Sequence, residues 1–198
     1  KNGNITLAYS NKHHDTKHFV FFANASSKIG AGHIMRLYAL AQVCVSQGIK
    51  VTFTSCQCPD YLQEKLQQAN MKFVLLPENY GTQEINNLKA TVWIVDDYFL
   101  QEPQWQVFKA SGSLLVNIDD NTHADVLHSH IIINPSASVT PATYETRAPN
   151  ARVLLGPSFA LLRQEFVEQT FKPIDERNNI LITLGGADVK NMTYAIAA

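Results

Sequence analysis

Short apolar segments alternate with longer amphipathic segments along most of the chain. The first apolar segment, 18–23, is rich in aromatic and β-branched residues and ends in a small polar cluster, which is typical of a buried strand followed by a loop. From Ile34 the apolar positions recur at helical spacing until Gly48 supplies a stop, and 49–54 is again strand-like. Strand, loop, helix and strand in this order predict a βαβ unit.

The same alternation continues beyond this unit. Helices are predicted at 61–69 and 103–110, and a shorter one ending at Phe166, while further strands are predicted at 72–76, 91–95, 113–118, 129–133 and 153–155. Strands that alternate with helices pair in parallel and bury both faces of the sheet. The sequence therefore predicts an α/β fold with a Rossmann-like, mostly parallel sheet and helices on both faces.

Polar and proline-containing stretches divide the chain. Residues 1–17 are expected to form a flexible lead-in, 18–171 the Rossmann-like domain, and 172–179, which contains Pro173, a linker. The segment 180–184 is strand-like and a helix is predicted from about Lys190. One strand and part of a helix cannot bury their own apolar faces. We therefore expect 180–198 to be the start of a truncated second domain, the alternative being that this unit joins the first sheet.

Composition narrows the possible partners. The 16 basic and 17 acidic residues leave a formal net charge of −1, which gives no electrostatic argument for nucleic acid or an anionic membrane. No stretch approaches the roughly 20 apolar residues that span a bilayer. Three cysteines, two of them Cys56 and Cys58, form no disulfide framework and have no partner cluster at zinc spacing, so no metal is expected. A reducing, cytoplasmic setting fits best.

Polar side chains gather where the predicted strands end. In an open parallel sheet the carboxyl ends of the strands form one rim, along which ligands bind. Several chemically useful residues on one rim are more informative than any single motif. The candidate substrate-binding residues there are Gly30, Gly32, Arg36, Asp96, Asp97, Asn134, Gly186 and Asp188.

The turn Gly30-Ala31-Gly32-His33 carries the best candidate for catalysis. Its glycines let a ligand approach the backbone, and the following helix presents free N–H groups and a positive dipole end to a phosphate or sugar oxygen. The spacing is neither the dinucleotide G-x-G-x-x-G nor a Walker loop. A helix N-terminus favours the neutral imidazole, so His33 could accept a proton from water. Taken locally, a tight turn with His33 as a helix-capping residue explains the same residues.

The other candidates also have simpler explanations. Arg36 could aid an anionic ligand or be a surface residue with a buried stem. Asp96, Asp97 and Tyr98 could orient a base or bind sugar hydroxyls, or the aspartates could only cap a helix. Asp119-Asp120 allows the same readings, and His123, His128 and His130 are expected to be structural or exposed. No G-x-S-x-G elbow supports a serine hydrolase.

The glycine loop and five further blocks, in order along the chain, together resemble a known family. The segment 25–36 looks like the signature loop of the UDP-sugar hydrolases of pseudaminic acid biosynthesis, which are similar to spore-coat polysaccharide proteins. The resemblance continues in order through nearly all of the chain after residue 17, in 94–98, 117–120, 133–135, 155–163 and 184–188.

The resemblance implies a two-domain, glycosyltransferase-B-like fold of which this chain is the N-terminal half. It implies hydrolysis of a UDP-linked 2,4-diacetamido-2,4,6-trideoxy hexose, for which no cofactor is expected. The family's base maps to His33 and its tyrosine near the sugar to Tyr98, whereas Ile29 and Gly30 map to backbone positions that meet the ligand. The nucleotide is bound mostly by the second domain in this family, so the fragment alone is expected to bind UDP weakly.

Two other functions stay open. On the same scaffold a glycosyltransferase would use His33 to deprotonate an acceptor hydroxyl, and a third possibility is a non-catalytic sugar-binding domain. The chain has Phe22 and Asn24 where family members usually carry Arg and Asp, which makes that divergence conceivable and puts the substrate in doubt.

Overall fold

The computed structural model describes residues 17–120, 126–170, 172–184, 188 and 190–197. Within these residues seven strands form one sheet in the order β3-β2-β1-β4-β5-β6-β7, and every neighbouring pair is parallel. The strands are β1 His18–Phe22, β2 Lys50–Ser55, β3 Lys72–Leu75, β4 Val92–Val95, β5 Leu114–Ile118, β6 Ile131–Asn134 and β7 Arg152–Leu155. The predicted α/β fold with a parallel Rossmann-like sheet is confirmed.

Helices cover both faces of this sheet. They are α1 Gly32–Ser46, α2 Asp60–Gln68, α3 Thr82–Asn87, α4 Glu102–Ala110, α5 Gln164–Val167 and α6 Thr193–Ala197. Residues of α1 and α2 pack into one apolar layer, whereas residues of α3 and α4 pack into the other. None of the described helices is long and apolar enough to cross a membrane.

In β1 the aromatic residues do not alternate with polar residues, because the strand packs against an apolar layer on each face of the sheet. Phe21 points to one layer and stacks on Phe53 with ring centroids 5.1 Å apart. Phe22 points to the opposite layer and meets the edge of Phe108 at 5.2 Å. A central parallel strand is buried on both faces, and each buried phenyl ring stabilises the fold by about 1.5–3 kcal/mol.

Two elements differ from the sequence-based expectation. Helix α3 was not predicted, because only Ile85 of its six residues is buried and the segment has no apolar period. The strand predicted at 180–184 is wrong in the described structure: the segment pairs with no strand, and Ile180 and Leu181 are 91% and 86% exposed. A strand forms only where a neighbour accepts its backbone hydrogen bonds, and the sheet ends at β7.

The order of the strands fixes where a site can form. The chain leaves β1 through α1 toward β2 on one side, and later returns through α3 to β4 on the other side of β1. The connections therefore diverge between β1 and β4, and a crevice opens at the carboxyl ends of these two strands. The second-domain boundary and the linker stay predictions.

Candidate active site

The loop between β1 and α1 is a tight turn built around glycine. Gly30 N–H donates to the Ser26 carbonyl at 2.7 Å, and Ile29 N–H donates to the Ser26 hydroxyl oxygen at 3.2 Å. Gly30 has φ +81°, a conformation that side chains with a Cβ rarely adopt. The turn delivers the chain to Ala31, which makes no side-chain capping bond to α1. No side chain of the cap residue therefore occupies the first N–H groups of α1.

His33 lies in the first turn of α1 and reaches across to the end of β4. Its Nδ1 is 3.2 Å from the backbone carbonyl oxygen of Asp96. Because a carbonyl oxygen only accepts, Nδ1 must carry the proton in this hydrogen bond. In the neutral ring the lone pair then belongs to Nε2. The side chain is 12% exposed, and the Tyr98 ring packs against it edge-on, with centroids 4.3 Å apart.

Arg36 lies one turn further along α1 and donates hydrogen bonds to two carboxylates. Its Nε and Nη2 donate to the two oxygens of Asp96 at 2.7 and 2.6 Å, and its Nη1 donates to Asp120. Asp96 is fully buried, and the Arg36 side chain is 18% exposed. Arg36 is therefore not the surface residue with a buried stem that the sequence allowed.

The charged groups of Arg36, Asp96 and Asp120 change one another's pKa values. Burial opposes the charge of Arg36, but the hydrogen bonds and charges of Asp96 and Asp120 raise the pKa of its guanidinium. Burial also raises the pKa of Asp96, against the two bonds from Arg36. Since an arginine keeps its proton, the forked geometry is that of an ionised pair.

Tyr98 and Asp120 complete a closed chain of contacts that begins and ends at His33. The Tyr98 hydroxyl donates to Asp120. Burial, together with this bond, raises the pKa of Tyr98 to about 12. Burial alone would raise the pKa of Asp120, but the hydrogen bonds from Tyr98 and Arg36 lower it. The cluster therefore runs from His33 to Asp96, Arg36, Asp120, Tyr98 and back to His33. The sequence allowed Asp120 either a role at the site or helix capping, and the structure places its side chain in this cluster.

Asp97 and Ile29 occupy the same rim on the side of α3 and α4. Asp97 accepts from Asn24 Nδ2 at 2.7 Å and from the Phe99 N–H at 2.8 Å. Asn24 in turn accepts from the N–H groups of Cys56 and Gln57, and so ties the ends of β1, β2 and β4 together. Asp97 and Ile29 both line a cavity of about 280 Å³.

The remaining predicted residues lie elsewhere. Asn134 is fully buried at the end of β6, where it bonds to Tyr144 and Ser136. Asp188 accepts from Met192 and Thr193 at the start of α6. Gly186 and His123 lie outside the described residues. The structure does not bring Asn134 or Asp188 into the cluster around His33, and their predicted ligand contacts stay predictions.

Two further features of the sequence have structural roles. Phe22 is a core residue, and so an arginine at that position would have no room without rearrangement. His128 pairs with Glu102, and His130 accepts from the Leu115 N–H.

Within the described part of the chain, no three His, Cys, Asp or Glu side chains are placed to hold a metal ion. Burial raises the pKa of Cys56 and of Cys58 to about 11.

Comparison with known proteins confirms the resemblance. The chain is 26% identical to the UDP-2,4-diacetamido-2,4,6-trideoxy-beta-L-altropyranose hydrolase of Campylobacter jejuni, over 90% of this chain and 64% of that protein. It is 21% identical to the spore coat polysaccharide biosynthesis protein SpsG of Bacillus subtilis, over 91% of this chain and 54% of that protein. An uncharacterized protein of Methanocaldococcus jannaschii is 22% identical over 87% of this chain and 37% of its own length. No protein-family model matches.

These relatives are longer than the region they share with this chain. The chain spans less than two thirds of the length of each of them.

Proposed function

We propose that the protein processes a nucleotide-linked sugar in sugar-nucleotide or polysaccharide biosynthesis, and that it hydrolyses a UDP-linked 2,4-diacetamido-2,4,6-trideoxy hexose to UDP and the free sugar. The observation that carries the proposal is the hydrogen bond from His33 Nδ1 to the Asp96 carbonyl. This bond fixes the ring beside the carboxyl end of β4 and leaves Nε2 as a proton acceptor. The similarity to a UDP-sugar hydrolase supplies the substrate class.

In the proposed reaction Nε2 of His33 takes a proton from water as the water oxygen bonds to the anomeric carbon. The bond between that carbon and the UDP oxygen breaks, and its electron pair leaves with UDP. The N–H groups at the start of α1 suit the phosphate oxygens.

Two groups stand beside the proposed base. The Asp96 carboxylate lies 3.8 Å from Nδ1 of His33. Tyr98 stays protonated because of its raised pKa, so we assign it to packing against His33 and to contact with the sugar rather than to proton transfer.

In the family that this chain resembles, most nucleotide contacts are expected to lie in a second domain. The activity proposed here is therefore that of the full-length protein, and this chain contributes the base and the sugar-facing rim.

A glycosyltransferase is the second candidate. The observation in its favour is the similarity to a spore coat polysaccharide biosynthesis protein. The free Nε2 of His33 would then deprotonate an acceptor hydroxyl instead of water.

The test is UDP release by the full-length protein, without any acceptor, from the diacetamido sugar nucleotide. We expect turnover in wild type and a loss of about 10²- to 10⁴-fold in His33→Asn. His128→Asn, which changes a histidine bound to Glu102 on the surface, is the matched control and should retain the wild-type rate. UDP release only with an acceptor favours the transferase, and an unchanged rate in His33→Asn removes His33 from the mechanism. Binding of the sugar nucleotide without turnover in either assay favours a non-catalytic sugar-binding domain.

A further inference from the structure

A second group of polar side chains lies inside the protein next to Asp120, on the side of the sheet away from α1. It consists of Asp119, Asn134, Tyr144 and Arg147. The first three are buried, and the Arg147 side chain is 13% exposed. Burying polar and charged groups is costly unless they are paired, and here they are paired with one another.

Tyr144 is the centre of this group. Its hydroxyl donates to Asp119 Oδ2 at 2.9 Å and accepts from Asn134 Nδ2 at 2.9 Å. Asn134 Oδ1 accepts from the Ser136 N–H, which fixes the amide with its nitrogen toward Tyr144. Burial, with the charge of Asp119, raises the pKa of Tyr144 to about 12, although the bond from Asn134 opposes the rise. The hydroxyl therefore keeps the proton that it donates.

Arg147 gives the Asp119 carboxylate a positive partner. Its Nη1 is 3.3 Å from Asp119 Oδ2, and its guanidinium carbon lies 5.3 Å from the centroid of the Tyr144 ring. The main chain of Asp119 is also held, because its N–H donates to the Ile133 carbonyl at 3.0 Å. Asp119 is thus held by β6 through its backbone and by the segment between β6 and β7 through its side chain.

Asp119 and Asp120 continue β5 and point in opposite directions, because successive side chains of an extended chain alternate. Ile118 packs into the layer that contains α1, and two residues later Asp120 bonds to Arg36 of that helix. Asp119 points to the other layer, where Tyr144 lies. The two carboxylates share one peptide unit, so a main-chain shift that follows release of Asp119 also moves Asp120.

We propose that Tyr144 is a positioning residue that acts on the candidate active site through Asp119 and Asp120. By fixing Asp119, it limits the directions open to the next carboxylate, which accepts from Arg36 and Tyr98. The inference rests on the proposed function for the reaction that this geometry serves. A small misplacement caused by a change far from the reacting atoms slows the chemical step.

The test is a double-variant comparison of UDP release by the full-length protein from the diacetamido sugar nucleotide. Tyr144→Phe retains the ring and removes the hydroxyl that holds Asp119. We expect kcat to fall about tenfold, with KM within about twofold of wild type. In Asp120→Asn, which already lacks the carboxylate that is positioned, the added Tyr144→Phe should lower kcat by less than about twofold, because changes along one chain of contacts are not additive.

Controls separate position from stability. Rates are measured well below the melting temperature of each variant, and circular dichroism verifies the fold. Tyr194→Phe, at an exposed tyrosine of α6, should retain the wild-type rate. If Tyr144→Phe does not fold, Arg147→Lys, which keeps a positive charge beside Asp119, replaces it with the same expected pattern. A wild-type kcat, a change in KM alone, or a loss that repeats in full in Asp120→Asn overturns the proposal.

NMR of the tyrosine rings gives a readout that does not depend on hydrolysis. With carbon-13-labelled tyrosine in the full-length protein, the Tyr98 ring signals should shift in Tyr144→Phe, since the Tyr98 hydroxyl is bonded to Asp120. They should stay unchanged in Tyr194→Phe. A shift in a protein that does not release UDP supports the positioning of Asp120 and refutes the hydrolase. UDP release with unchanged Tyr98 signals in Tyr144→Phe does the reverse.

Discussion

The ion pair between Arg36 and Asp96 allows a quantitative test of the cluster by its stability. Arg36→Met removes the guanidinium but retains most of the aliphatic volume, and it leaves the fully buried Asp96 carboxylate without its two strongest hydrogen bonds. Removing one partner of a buried pair typically costs about 3–5 kcal/mol, because the remaining charge stays buried without compensation. For a protein of this length, that loss lowers the melting temperature by about 6–20 °C.

The assay is thermal and urea unfolding at neutral pH. The control is Arg163→Met, which breaks a half-exposed ion pair with Glu165 and should cost less than about 1 kcal/mol. In the double variant Arg36→Met/Asp96→Leu, an apolar pair replaces the charges, and most of the stability should return. A loss below about 1 kcal/mol in Arg36→Met, or no recovery in the double variant, would refute the buried-pair argument.

Three other predictions follow from the same contacts. In the full-length protein, Asp120→Asn should lower kcat about tenfold with little change in KM, since it loosens Tyr98 and Arg36 rather than a substrate contact; an effect on KM alone would contradict this. The interactions that lower the pKa of Asp120 stabilise the fold at neutral pH. This stabilisation should be lost as the pH falls below about 3.8, the pKa of the same carboxyl in the unfolded chain. When the free energy of unfolding is measured against pH in acid, Asp120→Asn should not show this decrease. An added Cβ would meet no atom within 4 Å at Gly30 or at Gly32, but only Gly30 has a positive φ, +81°. Gly30→Ala should therefore destabilise the fold by about 1 kcal/mol, whereas Gly32→Ala should be neutral. Equal effects of the two substitutions in urea unfolding would contradict the backbone argument.

The sheet was predictable because each of its strands carries its own local signal. β1 and β4 are apolar on both faces, all four of β1, β2, β4 and β5 are largely buried and are followed by polar residues, and the glycine turn before α1 marks a strand-to-helix connection. Helix α3 has no such signal, since Ile85 alone of its residues is buried. The apolar run at 180–184 shows the opposite error: it has the composition of a strand but pairs with no strand among the described residues.

The candidate site was only partly predictable. Residues at strand ends could be assigned to one rim, which includes His33, Asp96 and Tyr98. The pairing of Arg36 with Asp120 joins residues 84 positions apart, and no local pattern specifies which side chains meet at that distance.

The central claim is that His33 holds its proton on Nδ1 and offers Nε2 as the base. Nitrogen-15 NMR of the imidazole ring in the neutral form measures this directly. The hydrogen bond to the Asp96 carbonyl predicts a protonated Nδ1 and an unprotonated Nε2, with His128 of the same protein as an internal reference. A ring that carries its proton on Nε2, or that exchanges freely between the two forms, would contradict the account.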